Sequence, residues 1–527
     1  MSKNFKYIYN TFGIFGIIIT TIFAVWWLQP NHIPNNFTGF NHIIDMLLFA
    51  GVSYVVWHPI LMQVLSWAIG SHIKESPEKN PQKGLKVAFV TTFVPQSESL
   101  ELLHKTLPAM VAAHYRHDTW LLDEGNDLKV REICEQYGVK HFSRHQRSRF
   151  NLKDGKYATK TKGGNHNSWY DTYGNHYDFV AQIDTDFIPS RNFLIKTLGH
   201  FKNPKVAFVG TPQIYGNTDN SFIPKGAAEQ TYSFYGPILR GMSGMDSTLL
   251  IGANHVIRVA ALKSVDHYSA HITEDLLTGM KLHAKGWTSV YVPEALAIGE
   301  GPTNWQAYLN QQMRWAYGCI DVLLRHNPKL FKTMSMRRRI YYFLIQQHYF
   351  SGVAMVLSII LLGLYFIASL NTADIEPVTF FGLYVLVVIM CTIMASLLQN
   401  YNVRPTVERG ILAPGKLLGI VAWPTFFVAY IGVLMKKKLS YKVTPKGEEK
   451  NEKQRLIELN FFIPHLTIAV LCVVYLIFGF VFKRTSPVML SWTIITLTLM
   501  LITPFLLTLH NFYLSYLKPK PHNHNHR

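Results

Sequence analysis

Long apolar runs constrain this chain more than any other feature, because in lipid only internally hydrogen-bonded helices or closed barrels satisfy the backbone. Thr11–Gln29 (TFGIFGIIITTIFAVWWLQ) is uncharged. At about 1.5 Å per residue it is long enough to cross a hydrocarbon core of roughly 30 Å. No small-residue cleavage site follows, and a second run, Ile43–Ile69, comes directly after it. The pair therefore reads as a transmembrane hairpin and not as a signal peptide. The intervening Pro30–His42 has no Lys or Arg, whereas Lys3, Lys6, Lys74, Lys79, Lys83 and Lys86 flank the pair, so both ends are expected in the cytosol.

Five further apolar runs follow: Tyr341–Leu370, Pro377–Gln399, Ile411–Met435, Phe461–Phe482 and Met489–Leu509. The clusters Arg337-Arg338-Arg339 and Lys436-Lys437-Lys438 both belong inside, and two cytosolic points are separated by an even number of crossings. Three runs lie between them, so one does not cross. Ile411–Met435, interrupted by Pro414, Gly415, Lys416 and Pro424, is the weakest and is expected to lie in the cytosolic interface. The result is about six spans, with seven as the alternative, in a multi-pass protein of the plasma (inner) membrane. The expected divisions are 1–82 for the hairpin, 83–330 for a cytosolic domain, and 331–527 for interfacial helices, channel helices and a loop over 439–450.

Between the membrane parts the pattern changes. VAFVTTFVP, TWLLDEG, FVAQIDTDF, KVAFVGTP and SVYVPEA read as strands buried on both faces, alternating with amphipathic helices such as Leu100–His114. That alternation predicts an α/β domain with a mainly parallel sheet and ligands at the carboxyl ends of its strands. The net charge of +19 fits anionic lipid or phosphorylated substrates. Nucleic acid is not expected, since the basic residues spread over loops beside membrane segments. Four cysteines without CxxC or metal spacing lead to the expectation of neither a disulfide framework nor a zinc site.

Asp123 closes the second predicted strand, followed by Glu124, and Asp184-Thr185-Asp186 closes the third. On an extended chain the two carboxylates of D-x-D face one way and suit Mg²⁺ or Mn²⁺ bridging to a diphosphate; solvated loop acids are the plain alternative. Thr273-Glu274-Asp275 opens a helical segment, so an N-cap and a general base are both open readings. Lys162-Gly163-Gly164-Asn165 reads as a glycine turn carrying a cation. Gln311, Arg314 and Trp315 share one helix face just before a membrane run, a pattern that by itself also describes an interfacial Arg-Trp anchor. The His522, His524 and His526 tail reads as a solvated terminus.

Taken together, Asp123, Asp184/Asp186, Thr273-Glu274-Asp275 and Gln311-x-x-Arg314-Trp315 resemble the "D, DxD, TED, QxxRW" signature of processive family-2 glycosyltransferases. The likeness runs from Val87 to Gly447 and is greatest to the bacterial cellulose synthase kind. Gly210-Thr-Pro-Gln213 looks like its Gln-Thr-Pro motif, and Tyr441-Lys-Val-Thr-Pro-Lys-Gly447 is similar to its gating loop. The resemblance implies a GT-A type domain inserted between transmembrane helices. It also implies an inverting transfer from UDP-glucose to a growing β-glucan that leaves through the membrane.

On these residues the resemblance would place Asp123, with Glu124 beside it, at the uridine and Asp184, Asp186 and Lys162 at the diphosphate and metal. Gln311 and Arg314 would face the donor, Thr273 and Trp315 the acceptor sugar. Asp275, with Glu274, would be the catalytic carboxylate, and Thr444 and Lys446 would reach the nucleotide from the closed loop. Departures are Leu249–Asn254 in place of the family's F-F-C-G-S, Tyr441 for Phe, and no stretch after Gly447 suited to a cyclic-di-GMP-binding PilZ barrel. Regulatory or export functions would then fall to accessory subunits. Aromatic platforms for the glucan are expected among Trp26, Trp57, Trp67, Trp305 and Trp315. Rival readings are a synthase of another β-linked polysaccharide, a non-processive transferase acting on a lipid carrier, and a transport or scaffold component with an inactive domain.

Overall fold

The computed structural model describes residues 3–74, 77–95, 97–437, 439 and 459–516. The loop bearing Thr444 and Lys446, and the tail histidines, lie outside these residues.

Two long helices open the chain, α1 (Lys3–Trp27) and α2 (His42–Gly70). The middle region follows as β1 (Val87–Phe93), α3 (Leu100–Val111), β2 (Asp118–Asp123), α4 (Leu128–Gln136), β3 (Lys140–Phe142), α5 (Lys162–Tyr173), β4 (Phe179–Gln182), β5 (Ile188–Pro189), α6 (Phe193–Leu198), β6 (Val206–Gly210) and β7 (Ile214–Tyr215). Next come α7 (Phe222–Ser233), α8 (Leu239–Ser243), β8 (His255–Arg258), α9 (Val259–Ser264), α10 (Glu274–Ala284), β9 (Thr288–Tyr291), β10 (Ala297–Gly299) and α11 (Trp305–Asp321). The remainder is helical: α12 (Asn327–Leu330), α13 (Met336–Gln347), α14 (Ser351–Phe366), α15 (Pro377–Leu398), α16 (Ala413–Leu434), α17 (Ile463–Val481) and α18 (Pro487–Tyr516).

The main sheet has seven strands in the order β3-β2-β1-β4-β8-β6-β9, and β5, β10 and β7 form a smaller one. Every expected strand is present. The main sheet is mainly parallel, as expected: β8 runs antiparallel to both β4 and β6, while the other neighbours in this sheet are parallel. Alternate residues serve opposite faces, as the period of two requires. Phe89, Leu121 and Ala181 join a core with α3 and α6, while Ala88, Val90, Leu122 and Val180 join another with Trp169, Tyr170 and Leu262. This is an α/β sheet domain with long apolar helices on either side of it in sequence.

Among the described residues, seven helical stretches are long and apolar enough to cross a membrane, Ala413–Leu434 among them. That fifth stretch is α16, which continues through Pro424 and packs into the core of the sheet domain through Leu418, Val421, Ala422, Phe426, Ala429 and Val433. Its first turn is pinned to α7, where the Gly415 N–H donates to Glu229 at 2.8 Å and Gln230 Nε2 donates to the Gly415 carbonyl at 3.1 Å.

Candidate functional site

The carboxyl ends of β1, β2 and β4 open on one cavity of about 2050 Å³. Residues on its wall include Glu124, Lys162, Asp184, Asp186, Thr273, Glu274, Asp275, Gln311, Arg314 and Trp315. Sequence motifs up to 191 positions apart therefore meet in one place (Glu124 to Trp315, 315 − 124).

Beyond β4 the chain does not stay extended, contrary to the reading of D-x-D. The Phe187 N–H donates to the Asp184 carbonyl at 3.0 Å, closing a turn. The middle residue pins it: Thr185 Oγ1 donates to the Thr92 carbonyl at 2.5 Å and to Glu98 at 3.1 Å, and Thr106 donates to the Thr185 carbonyl at 2.6 Å. Both carboxylates still face the cavity because the turn is fixed at its centre. Lys162 Nζ pairs with Asp184 and donates to the Gly252 carbonyl at 2.6 Å.

Lys162-Gly163-Gly164-Asn165 is a helix start and not a glycine turn. Thr161 caps α5, its hydroxyl accepting from the Gly164 N–H at 3.1 Å. Lys162 thus reaches the cavity from a helix N-terminus, where the backbone itself favours anions.

Asp123 is completely buried and does not line the cavity. Its carboxylate accepts from the Gly125 and Asp127 N–H groups, each at 2.8 Å, and lies 3.1 Å from His141 Nε2. Asp123 shapes the turn that presents Glu124. Glu124 is held in turn by Arg144, whose Nε and Nη2 meet its two oxygens at 3.0 and 2.7 Å. The buried Arg144 guanidinium also donates to the carbonyls of Phe150, Tyr157, Ala158 and Thr161. One side chain joins the turn after β2 to the loop that delivers Lys162. Sequence reasoning missed Arg144, since a lone arginine after a short strand carries no spacing signal.

Glu274 and Asp275 begin α10. Thr273 stands at the N-cap but makes no capping bond; its hydroxyl lies 3.0 Å from His271 Nδ1 instead. The Leu276 N–H donates to Asp275 Oδ1 at 2.7 Å. A Cβ built on Gly252 would stand 3.3 Å from Asp275 Oδ2 and 4.0 Å from Lys162 Nζ, so these groups share one corner. Burial pushes the Glu274 carboxyl up, and the Asp275 charge adds to it against the pull of Lys162. Burial also raises Asp275, opposed by the Leu276 N–H and by Lys162.

Gln311, Arg314 and Trp315 lie on α11, whose N-cap Asn304 accepts from the Ala307 N–H at 2.9 Å. This helix meets α10 closely: a Cβ on Gly318 would fall 2.3 Å from Thr273 Cγ2. Only glycine permits that approach.

Past Trp315 the cavity continues between helices, bordered by Gln63 and Ser66 of α2, Met355 of α14, Thr392 and Ser396 of α15 and Trp423 of α16. Of the tryptophans expected as platforms, only Trp315 lines it. Trp26 and Trp57 pack with Phe23, Trp67 with Met394, and Trp305 against Phe462.

Residues 179–398 match the model of Glycosyl transferase family group 2. The UDP-forming cellulose synthase catalytic subunit of Pseudomonas fluorescens strain SBW25 is 26% identical over 335 residues, which is 60% of this chain and 42% of that protein. Cellulose synthase 2 of Novacetimonas hansenii is 25% identical over 352 residues, 64% of this chain and 21% of that one. The matched part thus spans less than half the length of these curated relatives. Among solved structures, a mannosyltransferase from Pyrobaculum calidifontis, in complex with GDP-Man and Mn²⁺, is 12% identical. It covers 75% of this chain and 99% of its own, with a TM-score of 0.49. Over residues 179–398 the chain is similar to glycosyl transferase family group 2, and over about 60% of its length it is similar to cellulose synthase catalytic subunits.

Proposed function

We propose that this protein is a membrane-embedded, processive, inverting glycosyltransferase that builds a β-glucan from UDP-glucose and passes it across the membrane. The observation that carries the reading is the continuity of one cavity from the Lys162, Asp184 and Asp275 corner, past Trp315, into the space between α2, α14, α15 and α16. A single-transfer enzyme has no use for a cavity that extends among apolar helices beside its acceptor site.

In this reading the UDP lies over the strand ends, its uridine beside Glu124 and the turn shaped by Asp123. The diphosphate meets Lys162 and the N-terminus of α5, with Arg314 and Gln311 on the opposite wall. Asp184 and Asp186, two carboxylates on a pinned turn, offer the all-oxygen donors that Mg²⁺ or Mn²⁺ prefers. Such an ion would neutralise charge on the departing diphosphate. Lys162 serves the same end from the protein side. Asp275 accepts the proton of the acceptor hydroxyl as that oxygen attacks the anomeric carbon from the face opposite UDP, which inverts the linkage. Leu276 and Lys162 favour its ionised form, while Glu274, pushed up by burial and by Asp275, holds its proton to higher pH. Trp315 offers the terminal sugar a flat face at the tunnel mouth. The loop bearing Thr444 and Lys446 would close over the nucleotide and exclude water. The sheet domain faces the cytosol, as the basic flanks require.

Purified protein in lipid, given UDP-glucose with Mg²⁺ or Mn²⁺, is expected to make an insoluble glucan that linkage-specific β-glucanases digest. Polymer from UDP-N-acetylglucosamine and none from UDP-glucose would overturn the choice of sugar. A soluble product extended by one residue would overturn processivity.

A further inference from the structure

We propose that His271, Asp321 and His326 form a second metal site, of the zinc class, behind the N-terminus of α10. His271 Nε2 lies 3.0 Å from Asp321 Oδ2, and His326 Nε2 lies 3.9 Å from the same oxygen. The three donor atoms lie within 4.8 Å of one another. A tetrahedral ion with ligands at about 2.0–2.1 Å spaces its donors roughly 3.3 Å apart, a value the observed separations straddle.

The backbone provides a second, independent observation. Asp321 ends α11, and Val322–His326 forms a π-helical turn. At about 100° per residue, five steps along an α-helix would leave His326 some 140° away from Asp321. A π turn, whose bonds run from i to i+5, returns His326 above Asp321; such turns are rare and concentrate at functional sites.

The surroundings orient these donors. The Thr273 N–H donates to His271 Nδ1 at 3.2 Å and the Thr273 hydroxyl lies 3.0 Å from the same nitrogen, contacts that hold the ring with Nε2 toward Asp321 Oδ2. Arg325 Nη1 lies 2.6 Å from Asp321 Oδ1, the oxygen that the imidazoles do not share. Its positive charge opposes a cation, but the side chain is 39% exposed and solvent screens it. Two imidazoles and one carboxylate suit Zn²⁺ better than Mg²⁺, whereas Asp184 and Asp186 offer oxygen alone. The two sites therefore select different ions. An ion here would tie His271, two residues before Thr273, to the end of the helix that bears Trp315.

The test uses the full chain in detergent with His522→Ala, His524→Ala and His526→Ala, which removes the tail as a competing ligand. After metal stripping, loading with Zn²⁺ and dialysis, about one equivalent per chain is expected to remain. Co²⁺ in its place is expected to show the intense visible bands of four- or five-coordination. His326→Gln, which keeps the size of a partly exposed side chain, and Asp321→Asn should each weaken retention at least tenfold, while Asp184→Asn leaves it unchanged. No retained metal, or equal retention by His326→Gln with unchanged circular dichroism, would reduce the cluster to a hydrogen-bonded buttress and overturn the proposal. No nucleotide sugar is needed for any of these readings.

Discussion

Gly318→Ala tests how α11 and α10 hold the site together. The added Cβ would stand 2.3 Å from Thr273 Cγ2, 2.5 Å from Thr273 Oγ1 and 2.9 Å from Thr273 Cβ. Carbons in contact sit about 3.5 Å apart, so the start of α10 must retreat by about 1 Å. Overpacking of this kind costs about 1–3 kcal/mol, and alanine returns about 1 kcal/mol of helix propensity over glycine, leaving a net loss of roughly 0–2 kcal/mol. The catalytic effect should be far larger. Glu274 and Asp275 follow Thr273 directly, and a misplacement of about 1 Å in a catalytic group costs on the order of 10²-fold. UDP release measured beside thermal unfolding should therefore show a nearly native melting temperature with turnover about a hundredfold lower. Adding Thr273→Ala, which removes both nearest atoms, should restore whatever stability was lost. A Gly318→Ala protein with the turnover of the parent would refute the argument that this contact positions the carboxylates.

Three further outcomes follow from the same geometry. Arg144→Met strands the Glu124 carboxylate and four carbonyls, so unfolding by denaturant should show a loss of about 3–5 kcal/mol, and adding Glu124→Gln should recover part of it. Glu274 has a native carboxyl value above its unfolded one, so its contribution to stability is present in acid and is lost as pH rises through the native value. Glu274→Gln should therefore melt above the parent by a margin that widens with pH; a margin that narrows would contradict the stated environment. Trp315→Ala should abolish polymer while leaving UDP affinity within about twofold by calorimetry, and retained elongation would return Trp315 to the role of a membrane anchor.

Much of this was legible in the chain because period and charge are local. The doubly buried strands, the apolar runs and the acids at strand ends follow from neighbours in sequence, and each stands where expected. What escaped depends on distant partners. β8 begins with His255 and ends with Arg258, polar residues satisfied by Tyr268 and by the carbonyls of Phe201, Asn203 and Val206, so its strand character shows only once the sheet exists. Gly163 and Gly164 suggested a turn, yet Thr161 caps a helix through them, and a Cβ on Gly164 would meet the Ala158 carbonyl at 2.3 Å. Arg144 and the His271–Asp321–His326 cluster each join segments with no shared motif. Asp123 was recognised by its place at the end of β2, but its carboxylate is engaged by the turn it shapes.

The central claim is that synthesis at the carboxylate corner and passage through the helices are one process, and sealed vesicles test it most directly. With the sheet domain outward and UDP-glucose added outside, the account predicts labelled glucan that resists an added β-glucanase until detergent opens the vesicle. Product fully digested without detergent would show that the polymer never crossed, and would contradict the account.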